Sequence, residues 1–440
     1  MKPTHEHHHR SVARSVTFAL TVAGLLATLV GMPARAFAVT RTCGANAIAN
    51  TASVLCASGT CTAALVRVTT SIEVTAGGCD FDLGGRALSF ERTFEMTGLG
   101  FIRVFNAGNI TVTYTGKLKA RGDFVKPNGF IIGGGFISLT SAGTIDIDGN
   151  LDVAGDSAGS VRLVAAQNVI LQPGAVIDGP GISSFADLGD RYTDGGELEA
   201  TATSGSITIS GDITLSGQNG GTGGLVDMTA GRDIVLVRPV DVSGGGGDGG
   251  EFNATAGDNI SLTNGAINAD SNVGGGFGGF ISFDAGEDFL GGVVPGGTID
   301  INAASLLMRG SATDTFGGDG GELDLLASGR IRVFGAGMVI RVDAATNFDG
   351  SGGIISIDSG DINPNVLGPL DGDLELGGTV SMRSGSIGGD GGSIDVSAGR
   401  DLVFTAAVDV SGTDTGGDVT GNAGRTATLN GVITSRGTSA

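Results

Sequence analysis

The sequence has no tryptophan, and its four histidines all lie within the first nine residues. The rest of the chain therefore cannot supply a Ser-His-Asp or Cys-His catalytic set, or a histidine-ligated metal site. Tyrosine occurs only as Tyr114 and Tyr192, so the chain offers few polar aromatic platforms for sugars. Lysine is also rare, and after residue 38 it occurs only at Lys117, Lys119 and Lys126. No G-x-x-x-x-G-K-[ST] phosphate-binding loop is present.

Proline is scarce, with 9 residues, whereas glycine accounts for 82 of 440. The scarcity of proline excludes a proline-rich disordered tract, and the absence of a strict glycine period of three excludes a collagen-like triple helix. Hydrophobic residues make up 40% of the chain and occur as short alternating runs of Val, Ile, Leu and Phe. Such runs favour β-strands, and no segment after residue 38 keeps a helical period of apolar residues over three turns.

Basic residues are fewer than acidic residues, with 25 Lys and Arg against 46 Asp and Glu and a formal net charge of −21. The first 38 residues contain four basic residues and one acidic residue, so the remainder carries −24. A chain of this charge gains no free energy by releasing phosphate counterions. The charge therefore argues against nucleic acid and anionic lipid as partners.

Residues 1–38 have the organisation of a bacterial secretory signal peptide. Arg10 and Arg14 flank the start of an apolar stretch that runs from Val16 to Val30 and is shorter than the roughly 20 residues of a membrane-spanning helix. Ala-Phe-Ala at 36–38 offers a cleavage site between small residues, with Ala-Arg-Ala at 34–36 as the alternative. We therefore expect an exported chain, extracellular or on the outer cell surface of a bacterium, without a transmembrane segment after cleavage.

The phrase Gly-Gly-x-apolar-x-apolar-x-Ala-Gly-x-(Asp/Asn)-apolar-x-apolar recurs along the chain, with copies at 223–236, 249–262 and 391–404. The second glycine of the doublet falls at Gly196, Gly224, Gly250, Gly279, Gly321, Gly353, Gly392 and Gly417, in steps of 28, 26, 29, 42, 32, 39 and 25 residues. The shortest steps each hold three strand candidates, such as Leu225–Met228, Ile234–Leu236 and Val240–Val242. Self-similarity of this length indicates a repeat architecture.

Three short strands and three turns in about 25 residues predict one coil of a parallel β-helix, whereas a propeller blade needs four strands and about 40 residues. We therefore predict an all-β fold, a parallel β-helix of three-stranded coils over residues 101–440, with loops in the longer steps. Corner glycines are expected to allow positive φ and close approach between coils. The Asp or Asn before a strand is expected to cap a turn and to stack in rows, as at Asp233, Asn259, Asp288 and Asp401.

All four cysteines lie near the start of the expected mature chain, at Cys43, Cys56, Cys61 and Cys79. An even number in an exported chain predicts two disulfides, and all three pairings are open at this point. Zinc is disfavoured because no histidine follows residue 38 and Cys-x4-Cys with distant partners is poor structural-zinc spacing. We predict that the disulfides stabilise an N-terminal cap over residues 39–100, since the first coil of a solenoid has no neighbour on its outer side.

The repeat style resembles secreted right-handed parallel β-helix proteins of bacteria, in particular filamentous-haemagglutinin-like proteins and autotransporter passengers. Residues 126–130, Lys-Pro-Asn-Gly-Phe, with the run at 136–140, resemble the Asn-Pro-Asn-Gly-Ile turn and next strand in the secretion domain of two-partner-secreted adhesins. The companion Asn-Pro-Asn-Leu has a counterpart only at 363–366, far downstream, so the order is reversed. The resemblance implies a right-handed helix, a possible outer-membrane export partner and an adhesin-like role.

An enzyme is the alternative hypothesis, because many parallel β-helix proteins of the pectin-lyase-like type are polysaccharide lyases or hydrolases. The candidate residues form a basic cluster that could neutralise an acidic sugar, Lys117, Lys119 and Arg121 with Asp123 among them and Lys126 beyond. Asp146 and Asp148 would share one face of a strand and could form an acid/base pair. If Ile145 and Ile147 point inward, however, both carboxylates simply face solvent.

Calcium is a further possibility, since Gly-Gly-Asp-Gly-Gly at 317–321 and 388–392 is similar to the calcium nonapeptide. Glu322 and Ser393 stand where that motif needs Asp, so we expect no cofactor or dedicated metal site, only opportunistic calcium binding by an acidic surface. The preferred interpretation is a non-catalytic surface or secreted protein whose partner is an extracellular surface, a matrix or a polysaccharide. Loops at 180–194, 290–297 and 361–373 are the expected binding sites.

Overall fold

The structure is a computed structural model that describes residues 38–75, 77–97, 100–121, 133–155, 158–181, 193–286, 296–313, 317–346, 348–360 and 372–437. Within these residues the chain winds as a parallel β-helix, and each coil contributes one short strand to each of three sheets. The described residues do not include the expected leader, apart from Ala38, or residues 126–130 and 363–366. Most residues of each of the three predicted binding loops also lie outside them.

Sheet 1 contains β2 (Gly59–Cys61), β3 (Leu65–Val68), β6 (Ala87–Phe90), β9 (Ile110–Val112), β12 (Ile145–Ile147), β15 (Val169–Leu171), β18 (Ile207–Ile209), β21 (Ile234–Leu236), β24 (Asn259–Thr263), β27 (Thr298–Asn302), β30 (Ile331–Phe334), β33 (Leu374–Leu376), β36 (Asp401–Phe404) and β39 (Thr426–Leu429). Sheet 2 contains β1 (Val39–Arg41), β4 (Ile72–Thr75), β7 (Thr93–Thr97), β10 (Lys117–Ala120), β13 (Asn150–Asp152), β16 (Val176–Asp178), β19 (Asp212–Thr214), β22 (Val240–Asp241), β25 (Ala266–Asn268), β28 (Ser305–Leu307), β31 (Val339–Arg341), β34 (Thr379–Ser381), β37 (Ala407–Asp409) and β40 (Ile433–Thr434). Sheet 3 contains β5 (Cys79–Asp82), β8 (Phe101–Ala107), β11 (Phe136–Ser141), β14 (Ser160–Ala165), β17 (Glu197–Ala202), β20 (Leu225–Ala230), β23 (Glu251–Ala256), β26 (Phe280–Ala285), β29 (Glu322–Ala327), β32 (Ile354–Ser359), β35 (Ser393–Ala398) and β38 (Asp418–Ala423).

Strands of successive coils pair in parallel, and the antiparallel exception among the named strands is the pair β2–β3 at the N-terminal end. The pairs keep their register, apart from a shift between β8 and β11 at Leu139 to Ser141. In sheet 3, six consecutive residues of β20 face six of β23, from Leu225 opposite Glu251 to Ala230 opposite Ala256. The predicted all-β fold with three-stranded coils is therefore confirmed. Strand stacking already begins at β3 to β5, inside the segment 39–100 that the sequence assigned to a cap.

The core is a continuous column of apolar side chains inside the coils. Alternate residues of the strands between the two end coils are buried, as are Val226 and Met228 in β20 and Ile234 and Leu236 in β21. Phe252 packs edge to face on Phe283 one coil further along, with ring centroids 5.6 Å apart. Because the side chains alternate with a period of two, the residues between them face outward and form the outer surface.

The glycine doublets form the turn from sheet 2 to sheet 3. The second glycine closes the turn within its own coil, since Gly250 N–H donates to Val242 O at 2.9 Å. Its carbonyl accepts a hydrogen bond from the next coil, since Phe280 N–H donates to Gly250 O at 3.0 Å. A Cβ on Gly250 would lie well under 3.0 Å from the Gly224 and Val242 carbonyl oxygens. Close approach is thus the reason for glycine here, and the expected positive φ is not found at these doublets.

Polar side chains stack at the turn from sheet 3 to sheet 1, as predicted. Asn259 Nδ2 donates to Asp233 Oδ1 one coil earlier at 2.9 Å, and Thr298 Oγ1 donates to Asn259 Oδ1 at 2.7 Å. Asp401 instead pairs with the Arg425 guanidinium, and Asp288 lies outside the described residues. The row repeats with the coil spacing, so these side chains have a structural role.

The N-terminal end of the coil stack is covered by short helical segments, α1 (Ala47–Asn50), a π-helical turn (Thr51–Leu55) and a 3-10 turn (Cys56–Ser58). Val54 and Leu55 are fully buried against the first coil, and the Asn50 side chain donates to Asp80 O of β5 at 3.1 Å. The disulfides are Cys43–Cys79, which ties this segment to β5, and Cys56–Cys61. Two disulfides indicate an oxidising environment. Among the described residues no helix is long and apolar enough to cross a bilayer.

Replacement of Gly250 by Ala should destabilise the protein by about 1–3 kcal/mol or more, because the new Cβ would collide with backbone oxygens that cannot move independently. Gly44→Ala is the control, since its Cβ would meet only Asn50 Oδ1 at 3.8 Å. Chemical denaturation of the two variants checks this. Equal midpoints for the two variants would contradict the close-contact argument.

Removal of the Cys43–Cys79 disulfide by a double change to Ala should destabilise the protein by about 2–4 kcal/mol, since it closes a long loop between the cap segment and β5. The Cys56–Cys61 disulfide spans a sequence separation of 5, against 36 for Cys43–Cys79. Its removal should cost less. Thermal denaturation of both double variants gives the comparison, and a larger loss for the Cys56–Cys61 pair would be the opposite of the expected order.

Candidate functional site

A long groove runs parallel to the β-helix axis along the turns between sheets 2 and 3. It consists of three adjoining cavities of about 500, 500 and 450 Å³ that share Glu197 and Glu251 where they meet. It extends from Phe101 to Ile354, over nine coils of sheet 3. With strands about 4.8 Å apart, the groove is about 40 Å long. We call it the glycine groove.

The floor of the glycine groove is backbone. The doublets at 195–196, 223–224, 249–250, 278–279, 320–321 and 352–353 line it, and they place no side chain between the two walls. Leu225 N–H donates to Gly196 O at 2.9 Å, and the same bond recurs from Glu251 to Gly224 O at 2.9 Å. The floor is therefore held by the backbone ladder itself, which makes it regular.

From β17 to β32 the walls alternate between charged and apolar coils. The sequence Asp-Gly-Gly-Glu occurs at 194–197, 248–251 and 319–322, on β17, β23 and β29, which are every second strand of sheet 3. We call these the charged rungs. The intervening coils carry Leu225, Phe280 and Ile354 at the position equivalent to the Glu, and we call these the apolar rungs.

The two carboxylates of a charged rung differ in their partners. The Asp accepts the backbone N–H of the next coil, since Phe277 N–H lies 2.9 Å from Asp248 Oδ1 and Ser351 N–H lies 2.7 Å from Asp319 Oδ1. The Asp thus has a structural role. The Glu residues at 197, 251 and 322 are exposed, and among the described residues none of them has a hydrogen bond or ion-pair partner.

Buried carboxylates elsewhere are paired with arginine. Asp270, with 2% of its surface exposed, accepts from Arg309 Nε at 3.0 Å. Asp343 is likewise buried, and its Oδ1 accepts from Ser381 Oγ at 2.5 Å and lies 3.6 Å from Arg383 Nε. A buried charge needs such a partner. The groove Glu side chains need none because water reaches them, so they are available to a ligand.

Further carboxylates lie on the outer face of sheet 3, beside the groove. Burial, followed by the nearby charges of Asp395 and Asp324, raises the pKa of Asp358 to about 6. Burial and the Glu199 charge raise the pKa of Asp227. Burial also raises the pKa of Asp324, although a hydrogen bond with Ser356 acts in the opposite direction. This face carries less negative charge in mildly acid solution than at neutral pH.

The described residues of the predicted basic cluster lie on β10 of sheet 2 or directly after it, and they are not among the groove-lining residues. Lys119 Nζ is 4.0 Å from Glu95 Oε2 on β7, and Arg121 Nε donates to Asp152 Oδ2 on β13 at 2.7 Å. Lys117 is exposed and has no carboxylate partner among the described residues, and Asp123 lies outside them. The positive charges of Lys119 and Arg121 are thus balanced by neighbouring coils.

The other sequence candidates also have structural partners. Ile145 and Ile147 are buried, so Asp146 faces outward, where it accepts from Gln172 Nε2 at 2.9 Å. The Gly-Gly-Asp-Gly-Gly segment at 317–321 contributes Asp319, Gly320 and Gly321 to the groove lining. In the segment at 388–392, Asp390 Oδ1 accepts from the Thr415 hydroxyl at 2.6 Å. Within the described residues no group of three or more acidic, cysteine or histidine side chains could hold a metal ion.

Sequence reasoning located the glycine doublets but missed the groove. The signal was available as Asp-Gly-Gly-Glu, repeated three times around the doublets. Its meaning depends on the coil count, because the long step from Gly279 to Gly321 is a single coil from β26 to β29. The charged rungs therefore fall on alternate coils.

The free energy of unfolding should fall as pH rises from about 4 to about 6, in part because of Asp358. Its pKa in the folded chain, about 6, exceeds the value near 3.9 of an unfolded Asp, so its stabilisation is complete below pH 4 and lost above pH 6. Asp358→Asn should therefore be more stable than the unmodified chain at neutral pH and lack this part of the decline.

Denaturant midpoints at pH 4.5 and 7.5 for Asp358→Asn and the unmodified chain measure this difference. Asp212→Asn on β19 is the matched control, since Asp212 is exposed on sheet 2 and lies away from the Asp324 and Asp395 charges. An Asp358→Asn variant that gains no stability at pH 7.5 would refute the argument.

A comparison with protein-family models and a search of curated proteins gave no match to this chain. The fold and the glycine groove are therefore the observations on which a functional proposal can rest.

Proposed function

We propose that this chain is an exported, non-catalytic β-helix that binds an extended polymer along the glycine groove, in a surface-exposed or secreted, adhesin-like role. The observation that carries the proposal is the groove's length and regularity, nine coils with a backbone floor. A small metabolite would occupy one rung or two. A linear polymer can contact every rung along about 40 Å.

The apolar rungs support a binding role. Phe277 and Ile354, which line the groove, are 53% and 51% exposed, and Phe101 and Phe136 form neighbouring aromatic positions at its N-terminal end. Exposed apolar side chains that line one groove are typical of interaction sites. They also supply phenylalanine platforms in a chain that has no tryptophan and only two tyrosines.

The disulfides support export, because disulfides persist in oxidising compartments. The N-terminal sequence predicts a secretory leader, and the resemblance to secreted β-helix proteins implies a route through an outer-membrane partner. An extracellular surface, a matrix or a polysaccharide is then the class of partner that the groove would meet.

The lyase or hydrolase alternative depends on the basic cluster. A lyase needs cations that are free to neutralise the acidic sugar, but Lys119 and Arg121 have Glu95 and Asp152 as partners. The groove itself is acidic, and it would repel a polyanionic substrate. Both observations favour binding without turnover.

The protein should bind at least one linear polysaccharide from a panel of neutral, acidic and amino-sugar polymers, with no release of reducing ends or unsaturated products. Phe277→Ala should weaken that binding about fivefold, since about 1 kcal/mol of apolar contact is lost. Tyr114→Ala is the matched control, because Tyr114 is 72% exposed and lies outside the groove.

Biolayer interferometry on immobilised polymers measures the binding, and a reducing-sugar assay measures the turnover. If Phe277→Ala and Tyr114→Ala weaken binding equally, the groove is not the binding site. Turnover that Lys119→Ala abolishes would establish the enzyme alternative instead.

A further inference from the structure

The charged rungs have a fixed spacing along the glycine groove. Glu197, Glu251 and Glu322 lie on β17, β23 and β29, which are two coils apart in each case. Two coils correspond to about 10 Å, because strands of a parallel sheet lie about 4.8 Å apart. A ligand that contacts all three carboxylates therefore needs a positive group about every 10 Å on one side.

The charge of the groove selects a cation. Each charged rung adds an Asp and a Glu to the lining, and among the described lining residues no lysine or arginine opposes them. The Asp keeps one oxygen on the backbone of the next coil, whereas the Glu carboxylate has no partner in the described part of the chain. A ligand that covers the Glu of a charged rung therefore needs a positive group at that position.

The apolar rungs require that the same ligand be apolar between its charges. Leu225 precedes Glu251 by one coil, Phe280 follows it by one coil, and Ile354 follows Glu322. Sugar rings meet this requirement, since their C–H faces pack on aliphatic and aromatic side chains while polar groups project from their edges.

The period distinguishes an amino-sugar chain from a peptide in the β conformation. Side chains on one face of a β-strand recur about every 6.8 Å, which does not match two coils. A β-1,4-linked amino-sugar chain in its two-fold extended form presents amino groups alternately to opposite sides. Same-side amino groups then recur once per disaccharide, a length close to two coil spacings.

We infer that the polymer in the glycine groove is a cationic, β-1,4-linked amino-sugar chain whose same-side ammonium groups pair with Glu197, Glu251 and Glu322, while the intervening rings pack on Leu225, Phe280 and Ile354. This inference rests on the proposed function and names its ligand class. This arrangement therefore favours sugar chains with free amino groups over chains whose amino groups are acetylated.

The test compares binding of fully deacetylated and fully N-acetylated glucosamine octasaccharides to the full chain, by calorimetry at mildly acidic pH and low ionic strength. The deacetylated chain should bind about tenfold or more tightly, and its binding should weaken with added salt. The triple variant Glu197→Gln/Glu251→Gln/Glu322→Gln should lose this preference.

The control triple variant is Glu73→Gln/Asp146→Asn/Asp212→Asn, which removes the same formal charge from sheets 1 and 2 and should bind as the unmodified chain does. If both triple variants weaken binding equally, the interaction is with the net charge of the protein and the inference is wrong. Poly-L-lysine that binds in the groove more tightly than the deacetylated octasaccharide would assign the site to a cationic peptide instead.

The proposed function has a separate outcome. If both octasaccharides bind equally and Phe277→Ala weakens both, the groove binds a polymer but the cationic assignment is wrong. If neither octasaccharide binds and no polymer of the panel does, the proposed function fails together with the inference.

Discussion

The backbone ladder between coils is the constraint on which the rest of this structure depends. Strands of sheet 3 pair with their neighbours in parallel, as β20 does in register with β23, and the carbonyl of a corner glycine accepts the N–H that begins the following strand. A side chain at that corner would collide with the ladder. The glycine doublets and the backbone floor of the groove both follow from this contact.

The same register determines which carboxylates are available. Where an acidic residue lies in line with a basic residue one coil away, as Glu95 lies in line with Lys119, the two balance each other. From β17 to β32 the equivalent positions alternate between Glu and apolar residues, so no cation lies in line with Glu251. The order of residues in successive coils thus leaves Glu197, Glu251 and Glu322 along the groove without basic partners among the described residues.

The repeat was sufficient to predict the coil, since three strands in about 25 residues leave a small choice of architectures. It could not predict the disulfide pairing, because Cys43 and Cys79 meet only through the helical cap segment. Nor could it show that Lys119 and Glu95 would be partners, since residues 24 positions apart become neighbours only once the register is known. The residues 126–130, 363–366 and most of the loops lie outside the described structure, and those predictions stay open.

The alternation of rungs has a consequence for motion. Between β17 and β32, a polymer displaced by two coils along the axis meets nearly the same side chains, an Asp and a Glu next to an apolar residue. For a polymer in the groove, neighbouring registers would then have similar free energies. A bound chain could slide in discrete steps without leaving the protein, and longer chains would gain avidity from the number of registers as well as from the number of contacts.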